Sequence, residues 1–277
     1  MKLPTKKGLY DNIPNDIYHG DKSKVSSSTL KRVLISPAHV HLPSKETKAM
    51  KFGTLVHTLV LEPEKFEDEY AVEPDLDKRT TKGKADHEAF KATAKDKIVI
   101  SETEYRTAKT ITQKVSEHKF ASFLLEHGKS EQTAIWYDYK EKEWLKVRPD
   151  HLPTTIGGTI VDFKTSSDAS PESFAKDIYN YKYHLSAAMY IDGMINVKSE
   201  QFTQFIFIVA ETVAPYNVSV FKLDEEALKL GYQEYRKALG IYHSCKMKNK
   251  WYGYLPDDEV RQINLPQFAL RRGVVNA

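Results

Sequence analysis

The chain has little cysteine, no long apolar run and almost no excess of charge, and each shortage excludes a class of protein. Cys245 is its one cysteine, so it forms no internal disulfide and no thiolate cluster around zinc or iron–sulfur. The longest strongly apolar run, residues 205–210, is far shorter than the ~20 residues of a membrane-spanning helix. The formal net charge is only +3, so DNA affinity would have to come from local basic patches.

The N-terminal ten residues carry three lysines with no apolar stretch behind them, unlike a secretory signal. With the single cysteine, this favours a protein of the reducing cytoplasm with no membrane partner. A length of 277 residues and a hydrophobic content of 40% allow a sizeable core. We expect a single domain over residues 1–277, with a helical elaboration at its N-terminal side.

The spacing of apolar residues predicts a mixed α/β fold. Apolar side chains at helical spacing predict helices at residues 29–34, 52–61, 174–195 and 225–246. Aromatic and β-branched content predicts strands at residues 133–139, 143–147, 159–165, 202–211 and 217–223. Residues 75–97 are rich in Lys, Asp and Thr and are predicted to form a solvated loop that leads into a helix. This order describes a central mixed β-sheet flanked by helices.

Three charged residues of the predicted sheet carry the strongest chemical signal. Asp150 follows one strand and Asp162 lies in the next, so a turn could bring both carboxylates together at one sheet edge. Lys164 is two positions after Asp162 and projects from the same face, because side chains alternate along a strand. Paired carboxylates are ligands that Mg²⁺ prefers, and a lysine beside them could hold an attacking water and stabilise phosphate charge. The pattern therefore predicts a metal-dependent nuclease site.

A turn aspartate beside a surface ion pair would explain the same residues without any chemistry. The flanking sequence argues against this alternative. Val161 and Phe163 surround Asp162 with apolar bulk, so the strand is predicted to be packed. A charged pair in a packed strand needs a reason, since burying charge is costly.

Several motifs resemble one nuclease superfamily. Arg-Pro-Asp at residues 148–150 and Asp-Phe-Lys at residues 162–164 resemble the bipartite motif of PD-(D/E)XK nucleases, and Gly-Thr-Leu-Val-His at residues 53–57 resembles the upstream helix motif of their RecB-like branch. Residues 9–14, 18–19, 26–37, 61–66 and 79–84 are similar to RecE-like phage exonucleases. Motifs in a shared order over roughly residues 9–241 are more specific than any single motif. The resemblance implies a restriction-endonuclease-like core.

The same resemblance implies a set of metal ligands and a catalytic lysine. His57, Asp150 and Asp162 would bind the metal together with the backbone carbonyl of Phe163. Lys164 would be the catalytic lysine. Mg²⁺ is the implied cofactor, and we expect Mn²⁺ to substitute for it.

Three further positions match residues near the site of that family. Glu131 matches a glutamate that could bind a second metal or a water. Ser186 replaces the family glutamine, so either His184 or a water takes over its polar role, or turnover is slower. Tyr190 matches the family tyrosine and could hydrogen-bond near the lysine, or could simply pack as a half-buried aromatic.

Candidate DNA contacts lie nearer the N-terminus. Ser28, near the start of a predicted helix, could cradle a terminal phosphate through its hydroxyl and the backbone N–H groups. Arg79, Lys82 and Lys84 could follow the phosphate backbone. A charged loop is more often merely solvated.

The resemblance also implies a biological activity. It implies digestion of double-stranded DNA ends from 5′ to 3′ for single-strand annealing recombination, by a homo-oligomeric ring that works with an annealing protein of the RecT type. Two alternatives remain, a structure- or site-specific endonuclease with the same core and a catalytically silent DNA-binding relative. Ser186 favours the silent relative, whereas the intact ligand and lysine positions oppose it.

Overall fold

The protein folds into β-sheets covered by helices, in a computed structural model that describes residues 2–43, 45–77, 79–255, 259–267 and 270. In chain order, the helices are α1 (Asn15–Gly20), α2 (Ser27–Ile35), α3 (Lys48–Leu61), α4 (Phe66–Glu69), α5 (Thr81–Thr93), α6 (Glu102–Glu117), α7 (Lys119–Leu125), α8 (Pro171–Asn180), α9 (Tyr183–Lys198) and α10 (Glu225–Lys248). The strands are β1 (Gly8–Tyr10), β2 (Tyr70–Glu73), β3 (Ile98–Ser101), β4 (Gly128–Ser130), β5 (Thr133–Asp138), β6 (Glu143–Val147), β7 (His151–Pro153), β8 (Thr159–Ser166), β9 (Gln204–Glu211) and β10 (Val218–Lys222). Short 3₁₀ helices span Pro37–His41 and Pro63–Lys65.

The largest sheet is the predicted mixed one, with strand order β10-β9-β8-β7-β4. Strand β8 is its middle strand and runs parallel to β9, with Asp162 opposite Phe207. The two carboxylates of Asp150 and Asp162 do come together, with Lys164 close to both, but Asp162 lies in the middle strand and not at the expected sheet edge. Strand β8 has a neighbouring strand on each side, β9 on one and β7 on the other, where His151 pairs with Val161.

The two strands predicted at residues 133–147 are confirmed as an antiparallel pair, but they belong to a different sheet. Strands β5 and β6 form a three-stranded sheet with β1. A third, two-stranded parallel sheet joins β2 and β3. The solvated segment expected at residues 75–97 contains the helix α5.

The predicted helix 174–195 is two helices, and this is the clearest correction to the predicted elements. Helix α8 ends at Asn180, and α9 begins at Tyr183. Between them Lys182 has a left-handed backbone with φ of 55°, while the Tyr181 N–H donates to the carbonyl of Asp177 at 2.9 Å. The apolar spacing continues through both helices, so it does not reveal the break.

Helix α3 approaches the end of β8 closely because of a glycine. A Cβ at Gly53 would lie 2.9 Å from Thr165 Oγ1, so a side chain there would require either this hydroxyl or the helix to shift. The helix starts at Lys48, earlier than predicted, because the Thr47 side chain caps it. His57, one turn after Gly53, is thereby held near the sheet.

The core lies on both faces of the large sheet. On one face Phe205 and Phe207 of β9 pack with Trp136 and Tyr235, and on the other Ile206 of the same strand packs in a second buried cluster. This alternation follows from the pleat of a strand buried on both sides. Within the described residues, no helix combines the length and apolarity needed to cross a membrane.

Candidate metal centre

The side chain of Asp150 contacts residues of both helix α3 and strand β8. Its Oδ2 accepts a hydrogen bond from the backbone N–H of Phe163 at 2.8 Å. The same oxygen lies 3.3 Å from His57 Nε2 and 3.8 Å from Lys164 Nζ. The carboxylate of Asp150 therefore contacts one residue of α3 and two residues of β8.

Glu131 adds a second carboxylate to this point. It follows β4 with a left-handed φ of 55°, and its N–H donates to the carbonyl of Asp150 at 3.1 Å. Its Oε1 lies 3.6 Å from His57 Nε2. The ligand atoms of His57, Glu131 and Asp150 all lie within 4.8 Å of one another. Two carboxylates and one imidazole at this spacing suit a small divalent cation.

Lys164 pairs with Asp162, as the two-residue spacing on a strand predicts. Its Nζ also donates to the carbonyl of Phe163 at 3.2 Å. Asp162 itself is buried. The lysine therefore lies between the carboxylates of Asp150 and Asp162, which is the arrangement expected from the motif.

The electrostatics of the site are those of crowded, buried carboxylates. Burial, reinforced by the charge of Asp150, raises the pKa of Asp162 to about 6 and that of Glu131 to about 7. Burial also opposes ionisation of Asp150, but the charges of Lys164 and His57 outweigh it and lower that pKa. Burial disfavours the charged form of Lys164, yet Asp162 and Asp150 raise its pKa further than burial lowers it. A bound cation would relieve the repulsion, so these residues fit a metal.

This repulsion gives a testable pH dependence of stability. Because the folded-state pKa of Glu131 is raised from 4.5 to about 7, its contribution to stability is present below pH 4.5 and is lost as the pH rises through 7. Without metal, Glu131→Gln should therefore be more stable than wild type at pH 8, by on the order of 2 kcal/mol, and equal to it near pH 4. Urea unfolding in EDTA measures this difference.

Glu64→Gln, at an exposed glutamate, is the matched control and should change stability little at either pH. If Glu131→Gln were instead less stable than wild type at pH 8, the folded protein would favour the ionised form of Glu131, and the prediction would be wrong.

Arg148 lies beside Glu131 and links the site to other parts of the chain. The sequence did not reveal this role. The buried guanidinium donates to Thr133 Oγ1 at 3.0 Å and to Asn15 Oδ1 at 2.6 Å. It also lies 4.1 Å from the ring centroid of Tyr18. Its Nη1 is 3.7 Å from Glu131 Oε2. The one signal in the sequence was its place in the Arg-Pro-Asp tripeptide.

Lys31 and Tyr183 also lie at the site and were not anticipated. The ammonium groups of Lys31 and Lys164 lie 5.2 Å and 5.5 Å from the ring centroid of Tyr183. Burial, helped by the charge of Lys164, lowers the pKa of Lys31 to about 8. The helical spacing predicted α2 but did not show that this face of it meets α9.

His184 is not positioned to take the place of the family glutamine, because its ring nitrogens contact other groups. His184 is buried, and its Nε2 lies 3.0 Å from Glu234 Oε2 while its Nδ1 lies 3.1 Å from the carbonyl of Ile178. Both ring nitrogens of His184 therefore have partners other than the carboxylates of the candidate site. Ser186 is half-buried on α9, and its role stays a prediction.

Tyr190 packs as an aromatic but also lies near the site, because burial and then the charges of Tyr18, Asp162 and Asp150 raise its pKa. It is half-buried, and its ring centroid lies 6.1 Å from that of Phe205. The tyrosine ring beside Lys164 is that of Tyr183. A hydrogen bond from Tyr190 near the lysine stays a prediction.

The candidate DNA contacts are on the surface. Ser28 is exposed at the start of α2, with its Oγ 2.8 Å from Ser26 Oγ. Arg79 pairs with Asp77 at 2.9 Å just before α5, and Lys82 is exposed in the first turn of that helix. Their contact with phosphates stays a prediction.

Residues 26–255 match the family described as a PDDEXK-like domain of unknown function (DUF3799). The chain belongs to this PDDEXK-like family. Nucleases with this restriction-endonuclease-like fold typically depend on divalent metals, and the cluster of His57, Glu131 and Asp150 is a possible site for one. Family and geometry together support a nuclease.

Comparison with solved structures agrees with this PDDEXK-like fold. A protein from Eubacterium rectale, named as a candidate exonuclease, matches with a TM-score of 0.56 and 12% identity over 95% of this chain and 99% of that chain. At this identity the likeness shows the fold alone. The solved protein SSO0001 matches with a TM-score of 0.31 and 11% identity over 78% of this chain and 77% of that chain, which carries no argument. No curated protein sequence matches the chain.

Proposed function

We propose that the protein is a Mg²⁺-dependent exonuclease that digests double-stranded DNA from its ends. The observation that carries this proposal is the lysine between two carboxylates. Lys164 pairs with Asp162 and lies 3.8 Å from Asp150, in a chain whose family is PDDEXK-like. His57 and Glu131 complete a set of groups that could hold a cation.

Each residue has a chemical task in this proposal. Asp150 and His57 would hold Mg²⁺, joined by Asp162 and the carbonyl of Phe163, although the three groups already at metal-ligand spacing are His57, Glu131 and Asp150. Glu131 would hold a further water or cation. When bound, the metal neutralises charge on the scissile phosphate and lowers the pKa of a ligating water. The ordinary pKa of a lysine lies well above neutral, so Lys164 would be protonated and would act as a hydrogen-bond donor rather than as a base.

The preference for ends rests on the resemblance along the chain. The motifs of residues 9–241 follow the order found in RecE-like exonucleases, and the solved protein from Eubacterium rectale is named as a candidate exonuclease. We extend the proposal to 5′ to 3′ digestion by a homo-oligomeric ring, followed by annealing through a RecT-type protein. Ser28, Arg79 and Lys82 would contact the phosphate backbone.

The choice of metal tests the proposal. We expect Mg²⁺ or Mn²⁺ to support release of nucleotides from linear duplex DNA, and Ca²⁺ to bind without supporting it, because its larger and looser coordination shell misplaces the water. Radiolabel release measures turnover, and a thermal shift with each ion measures binding. Full activity in EDTA would refute the metal mechanism.

A further inference from the structure

An exposed aromatic residue lies next to the candidate site, in the break between helices α8 and α9. Tyr181 has 58% of its surface exposed. Its ring centroid lies 5.6 Å from that of Tyr183, with the two planes inclined by 32°. One ring of this pair therefore lies in the site, and the other faces solvent.

Tyr183 connects the core, the lysines and this exposed ring. Its ring centroid lies 6.2 Å from that of Phe174 and 6.0 Å from that of Phe207, both of which are buried. The ammonium groups of Lys31 and Lys164 lie within 5.5 Å of the same centroid. Cations that attract a DNA phosphate are thus one ring away from Tyr181.

The backbone holds Tyr181 in place. Its N–H donates to the carbonyl of Asp177 at 2.9 Å. The next residue, Lys182, pairs with Glu234 at 3.0 Å. These contacts fix the backbone at Tyr181, which limits the ordering needed when a ligand stacks on its ring.

We propose that Tyr181 stacks on an unpaired base of the DNA strand whose phosphates reach Lys31 and Lys164. The inference rests on the proposed function, because it takes DNA as the substrate. Bases inside a duplex already stack on both faces, so Tyr181 would favour ends whose terminal nucleotides are unpaired. Stacking on an aromatic side chain accepts every base, so Tyr181 would select for strand separation and not for sequence.

Fluorescence of 2-aminopurine tests this stacking directly. The probe is a duplex with a three-nucleotide single-stranded end that carries 2-aminopurine at each position in turn, mixed with the protein in Ca²⁺. Wild type and Tyr181→Phe should quench the fluorescence at one position or more. Tyr181→Ala should abolish that quenching and bind about tenfold more weakly, a change of about 1.4 kcal/mol.

Tyr179→Ala is the matched control. Tyr179 is 61% exposed in the same segment, but its ring stacks on that of His184 at 6.3 Å and not on Tyr183. This variant should quench like wild type. Unchanged quenching in Tyr181→Ala, or no quenching or binding by wild type, would overturn the proposal.

An abasic nucleotide gives an independent measurement of the same contact. Removing the quenched base from the DNA should weaken binding by wild type about tenfold, and should weaken binding by Tyr181→Ala no further, because both changes remove one interaction. Two additive losses would overturn the stacking contact. A wild-type protein that quenches the probe but never cuts linear DNA in Mg²⁺ would instead overturn the proposed nuclease function.

Discussion

A Lys164→Ala protein should cut linear duplex DNA about a hundred- to a thousandfold more slowly than wild type, which is the scale of loss when a preorganised donor to a transition state is removed. A lysine ammonium is charged at neutral pH, so the charge of Lys164 would act on the phosphate as negative charge develops. An interaction made mainly in the transition state lowers kcat while leaving substrate binding largely intact. Single-turnover cleavage in Mg²⁺ and DNA binding in Ca²⁺ measure the two effects separately.

Two variants make this result interpretable. Lys164→Met keeps a long side chain beside Tyr183 and should lose activity to the same extent, which separates loss of charge from loss of packing. Lys82→Ala removes an exposed lysine. It should weaken DNA binding without lowering the rate at which bound DNA is cleaved. A Lys164→Ala protein that kept more than about a tenth of the wild-type rate, a loss under ~1.4 kcal/mol, would contradict the catalytic role.

The local geometry of the site could be predicted where it depends on neighbours in the chain. The pairing of Asp162 with Lys164 follows from the alternation of side chains along β8, and it is observed. Helix α3 was predicted from its apolar spacing, and it brings His57 to within 3.3 Å of Asp150. The family motif linked these residues before the fold was known.

Contacts between distant parts of the chain could not be predicted in the same way. Lys31 reaches Tyr183, and Arg148 reaches Asn15, because separate helices and strands pack together. No local pattern encodes which helix face packs on which strand. The break before α9 was missed for another reason, since the left-handed backbone of Lys182 interrupts the helix without interrupting its apolar spacing.

The second large effect concerns the form of the DNA. If DNA reaches Asp150, Asp162 and Lys164 by threading through a ring, only a free end can deliver a strand to them. Linear plasmid should be degraded to mononucleotides in Mg²⁺, and end-labelled substrates should lose the 5′ label first. Higher salt should slow this digestion, because contacts between lysine or arginine and phosphate release counterions on binding.

The most direct test of the whole account compares one plasmid in two forms under identical conditions. A mixture of linear and covalently closed plasmid is incubated in Mg²⁺ with wild type and, as the matched control, with Lys164→Ala. Wild type should digest the linear DNA completely while the closed circle stays intact, and Lys164→Ala should digest neither. Conversion of the closed circle to nicked or linear forms at a rate comparable to linear digestion would contradict the exonuclease and favour an endonuclease, and no digestion of either form by wild type would contradict a nuclease altogether.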